Sequence, residues 1–226
     1  MFSFLQIQYI ALQRFEPNNI AYSRIYAHHI RRFQRVAFFD ESGINKQGMS
    51  NRRNDGWNYV GAGGAFLTMP LRNWTVSNIT VMAFLDRSGV CCVDTHLGGT
   101  DTQYVNNYML QAADQLSLRG VDCVVLDNCS AHKAWWIEYY MNRRGIAVVF
   151  LPRYWPEWNP IELVWNYLKD WLFPNLSRLQ NVNNIGPVIR QGLARVTGDL
   201  ARSFINKSVI YPNAWTTPQW NGPGPQ

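Results

Sequence analysis

Charge is scarce in this chain. Only 16% of its 226 residues are Asp, Glu, Lys or Arg, and acids are the rarer sign, 15 against 21. That excludes a supercharged tail but leaves a basic bias, net +6 with pI about 9.3, which favours polyanionic partners. Cysteine is sparse and unpatterned. Cys91 and Cys92 are adjacent, Cys123 and Cys129 straddle Asp127, and no C-x-x-C pair exists. A zinc site and a disulfide framework are therefore not indicated, and a reducing compartment is. No apolar run approaches the roughly 20 residues of a membrane span. The apolar start is interrupted by Gln6 and Gln8 and lacks a basic n-region or cleavage site. A soluble intracellular protein is expected, nuclear in a eukaryote and cytoplasmic otherwise. There is also no Ser-centred nucleophile elbow and no G-x-G-x-x-G.

What is present is a 47% hydrophobic content, ample for a core, and three acids in telling places. Asp40 ends the apolar run Val36-Ala37-Phe38-Phe39, and Asp127 ends Val124-Val125-Leu126. Short unbroken apolar runs are the mark of strands buried on both sheet faces. If the two strands are parallel neighbours about 4.8 Å apart, their acids emerge side by side and repel unless a proton or cation lies between them. Glu162 is separated from Asp127 by 34 residues and stands where a proline-rich loop turns into a helix. Each acid also has a purely structural reading. Asp127 can form a turn, and Asn159-Pro160-Ile161-Glu162 fits an N-cap with a capping box.

Three blocks carry a family resemblance: Phe38-Phe39-Asp40-Glu41-Ser42-Gly43; Val125-Leu126-Asp127-Asn128 with His132; and Leu151-Pro152 through Asn159-Pro160-Ile161-Glu162 with Trp165 and Lys169. Over about residues 36 to 172 the chain resembles mariner-type DDE transposases. It departs from the family's Leu-Pro-Pro-Tyr-Ser-Pro-x-Leu-Asn-Pro at Arg153, Trp155 and Trp158, which replace Pro, Ser and Leu.

The resemblance implies an α/β, ribonuclease H-like fold: a mixed five-stranded sheet, three strands antiparallel and two parallel, flanked by helices. It implies DNA cleavage and strand transfer with Asp40, Asp127 and Glu162 as catalytic, metal-binding residues for two Mg²⁺ or Mn²⁺ ions. Asn128, His132, Arg52, Arg53 and Lys169 are expected to support the site or contact DNA. Asn128 and His132 fit a local turn as well, and loop arginines such as Arg52 and Arg53 are often merely solvated. DNA is the expected partner, with action as a homodimer.

Along the chain, a helix is expected over 18–33, then a strand ending at Asp40 and a polar loop over 45–55. Strands at 59–68, 78–85 and 90–96 follow, then a helix from 100 to 119 and a strand at 121–127. A helix at 131–144, a strand at 146–151, a helix from Pro160 to Leu172 and a final helix over 183–207 complete the order. The expected domains are a helical lead-in at 1–33, left from a linker, a catalytic domain at 34–207 and a poorly ordered tail at 208–226. Tryptophans such as Trp155 and Trp158 are expected to pack, with base stacking the lesser reading. Only 39 residues precede Asp40, room for a helix but not for the paired helix-turn-helix units such transposases carry. Sequence-specific recognition would then lie on a separate domain or partner. The alternative is a domesticated or decayed transposase, a non-catalytic DNA-binding or protein-interaction module.

Overall fold

A computed structural model describes residues 11–44, 79–175 and 185–210. Five strands form one sheet: β1 (Val36–Ile44), β2 (Ile79–Asp86), β3 (Gly89–Leu97), β4 (Cys123–Leu126) and β5 (Ala147–Phe150), in the order β3-β2-β1-β4-β5. β1 is antiparallel to β2, and β2 to β3, while β4 runs parallel to both β1 and β5. This is the expected mixed sheet. The strand expected at 59–68 lies outside the described residues, as do Arg52, Arg53 and the end of the expected tail.

Alternation along β1 explains its uninterrupted apolar run. Phe38 turns to a core shared with α1 (Pro17–Ile30) and α4 (Ile161–Asn175), through Tyr26, Ile161, Trp165 and Leu168. Ala37 and Phe39 turn to the opposite core, under α2 (Thr102–Leu118) and α3 (Trp135–Asn142), with Met109, Leu116, Ile137 and Met141. Helices α5 (Gly186–Leu193) and α6 (Gly198–Ile205) close the first face. Asp101 caps α2 by accepting from Tyr104 N–H at 2.7 Å. No helix among the described residues is long and apolar enough to cross a membrane.

Three local expectations are corrected by the structure. β1 does not end at Asp40: its ladder with β2 continues from Asp40 opposite Ala83 to Ile44 opposite Ile79. The helix expected over 131–144 is a 3-10 turn, Ser130–Lys133, followed by α3, with extended Ala134 between them. The last helix is two. Between α5 and α6 the chain pauses so that Thr197 bridges Gly89, which tolerates no side chain because a Cβ there would lie 2.7 Å from Val196 O.

Candidate active site

The parallel pairing of β1 and β4 sets Phe38 opposite Val125. Carried two residues further, the same register brings Asp40 level with Asp127 on strands about 4.8 Å apart. Asp40 belongs to the Phe38 face, and there Trp165 Nε1 of α4 donates to its Oδ2 at 3.0 Å. Glu41 belongs to the opposite face, where His132 packs edge-on against Phe39.

The fold brings α4 to this point through Asn159, the residue just before Pro160. Its side-chain amide donates to Phe39 O at 3.1 Å, pinning the helix start to β1 one residue before Asp40. Asn159 Oδ1, the atom a capping box requires, has no hydrogen-bond partner, so the box that the purely structural reading offered is not formed. Glu162 stands one turn before Trp165 on α4. Together with Asp40, Asp127, Asn128, Lys133 and Tyr154 it lines a cleft of about 450 Å³. A second cleft of about 460 Å³, beside Cys92 and Tyr108, includes none of the three acids.

The charges in the cleft are coupled. Burial pushes the Asp40 carboxyl up to about 7, and the negative charges of Glu162 and Asp127 add to this against hydrogen bonds from Glu41 N–H and Trp165. Glu162 is also raised, first by burial and further by Asp127, while Lys169 two turns along α4 draws it back. Asp127 behaves oppositely. Burial would raise it, but hydrogen bonds from His132 and Cys129 N–H, with the charges of His132 and Lys133, hold it below its ordinary value.

His132 is the cation that keeps Asp127 ionised. Its side chain is 1% exposed, with Nδ1 at 2.5 Å from Asp127 Oδ1 and Nε2 at 3.3 Å from Glu41 Oε2, an ion-pair distance without hydrogen-bond geometry. Burial opposes its charge, but the two carboxylates prevail and push its pKa up to about 10. Asn128 ties the exit of β4 to the end of β5 by donating from Nδ2 to Leu151 O. Glu41 and the polar role of Trp165 were missed in the sequence. The only available signal for Glu41 was strand alternation, which puts consecutive acids on opposite faces.

Among the described residues no three or more His, Cys, Asp and Glu side chains are gathered tightly enough to hold a metal ion. The acids line a cleft without converging on one point. Even so, the donor chemistry suits hard divalent ions: carboxylate oxygens reach the cleft from three elements, and one is driven towards neutrality by burial and its neighbours' charge.

Comparison with known proteins agrees with this architecture. The chain is similar to the Mos1 mariner transposase in a paired end complex with Mn, at 15% identity and TM-score 0.64, covering 95% of this chain and 65% of that one. The Mos1 strand transfer complex gives 14% identity and TM-score 0.66, over 95% and 63% of the respective chains. The catalytic domain of Mos1 alone gives 12% and 0.63, over 91% and 93%. The chain thus spans slightly less than two thirds of the transposase in the first two complexes, and at these identities the likeness establishes a shared fold. No curated protein matches the chain. The family model for DDE superfamily endonucleases matches residues 35–185. With the fold of the mariner transposase catalytic domain and a family match over more than half its length, the chain belongs to the DDE superfamily endonucleases.

Proposed function

We propose that the chain cleaves DNA and joins its strands by in-line displacement at phosphorus, with Asp40, Asp127 and Glu162 as the residues that hold two Mg²⁺ or Mn²⁺ ions. The observation that carries this reading is the meeting of those three acids in one cleft, from β1, the β4 exit and α4, in a chain of this family. Bound ions would supply Lewis acidity to the attacking water or 3′-hydroxyl and to the leaving oxygen. The protein's part is placement. Trp165 and Glu41 N–H orient Asp40, and His132 keeps Asp127 ionised. Lys133, exposed at the cleft, is placed to meet a phosphate. Asn128, Lys169, Arg52 and Arg53 complete the residues we assign to support or DNA contact.

The similar structures support the choice of partners, since they are of paired end and strand transfer complexes, one with the left transposon end and others with Mn or Mg. We extend DNA, these ions and action as a homodimer to this chain. The test is nicking of plasmid or oligonucleotide DNA by the purified chain with Mg²⁺ or Mn²⁺. Glu162→Gln should abolish nicking without changing the melting curve, and equal activity in both proteins refutes the assignment. DNA binding without cutting by either would favour the non-catalytic module.

A further inference from the structure

The loop from β5 to α4 departs from the family's pattern at Arg153, Trp155 and Trp158, and each of these meets the segment between residues 14 and 26. Asn19 grips the Arg153 peptide from both sides: its Oδ1 accepts from Arg153 N–H at 3.0 Å and its Nδ2 donates to Arg153 O at 2.9 Å. Proline at position 153 would have no N–H to give. The Arg14 guanidinium sits 4.0 Å from the Trp155 ring centre and pairs with Glu157, with its side chain only 8% exposed. Tyr26 stacks on Trp158 at 5.8 Å, and Asn19 also donates to Arg14 O at 3.2 Å, so the contacts form one unit.

The loop needs such a hold. Tyr154 adopts φ +62, a left-handed conformation unfavourable for a non-glycine residue, which persists only where surrounding contacts over-determine it. The bracing residues lie before residue 35, where the family match begins.

We propose that Arg14 and Asn19 are positioning residues that lock the loop delivering Glu162 to the cleft, making the segment ahead of β1 a working part of the site. This rests on the assignment of Glu162 above. A plain packing role would lower melting temperature and nothing else, whereas a positioning role moves metal dependence.

The experiment compares Arg14→Met, Arg14→Lys and Asn19→Ala with wild type in the full chain, well below their melting temperatures. The half-saturating Mn²⁺ concentration for nicking should rise on the order of tenfold in Arg14→Met and Asn19→Ala, with KM for DNA unchanged. Arg14→Lys, which keeps the charge for Glu157 but loses the guanidinium over Trp155, should fall between. Calorimetric Mn²⁺ titration reads the same shift without turnover. Folded variants with wild-type Mn²⁺ midpoints overturn the proposal while leaving Glu162 in place, provided Glu162→Gln is inactive. A Glu162→Gln protein as active as wild type, or a wild type that neither nicks nor binds Mn²⁺, overturns both.

Discussion

Trp165 Nε1 donates a hydrogen bond to Asp40 Oδ2 at 3.0 Å, joining the helix that carries Glu162 to the strand that carries Asp40. One indole thus sets the separation of two of the three acids. It also favours the ionised form of Asp40 against burial and the charge of Glu162.

Trp165→Phe keeps most of the packing and removes the donor. Asp40 should then hold its proton to higher pH, so the acid limb of the nicking profile moves upward and the Mn²⁺ requirement rises several-fold. The cost in stability should be about 1–3 kcal/mol, from the lost bond and the smaller ring. A pH–rate profile with the wild-type acid limb contradicts this role.

Metal-free stability should carry the signature of Asp40. Its folded pKa of about 7 lies above its ordinary 3.8, so the folded chain binds the extra proton between those values and this group's contribution falls as pH rises from about 4 to about 7. Glu162 acts in the same sense. Asp40→Asn should therefore raise the melting temperature in EDTA at pH 7.5 and leave it little changed at pH 4. Added Mn²⁺ should stabilise wild type at pH 7.5 far more than the variant. Parallel melting curves for the two across this range would remove Asp40 as the source.

His132 has the opposite linkage. Its pKa rises from 6.5 to about 10 on folding, so the stability from its charged ring is complete below 6.5 and lost as pH climbs through about 10. His132→Leu leaves Asp127 and Glu41 without their shared cation and should cost on the order of 3 kcal/mol at pH 7. The difference should shrink by pH 10.5, which urea unfolding at the two pH values measures. An unchanged difference would mean the ring contributes only by packing.

The sheet was legible because its central strands are buried on both faces. Val36 to Phe39 and Val124 to Leu126 read as strands with no help from context. The end of β1 was not, because Asp40, Ser42 and Gly43 look like turn formers and only pairing with β2 keeps them extended. The acids could be placed by pattern, but not the groups that steady them. Asn159 fits a local cap by sequence and instead reaches Phe39 across 120 positions. Arg14 meets Glu157 across 143. Such partners are chosen by the folded packing, and neither periodicity nor a short motif encodes them.

Asp40 sits inside β1, flanked by ladder pairs with β2 on either side, whereas Asp127 follows the last residue of β4 and Glu162 rides on a helix behind a braced loop. The three acids are therefore held differently. Displacing Asp40 means breaking sheet hydrogen bonds; displacing Glu162 means breaking the side-chain bonds of Asn159 and Trp165 to β1, and displacing Asp127 those from His132 and Cys129 N–H. Asp40 is the datum of the cleft: Glu162 is referred to it through Asn159 and Trp165, and Asp127 through the parallel register of β4.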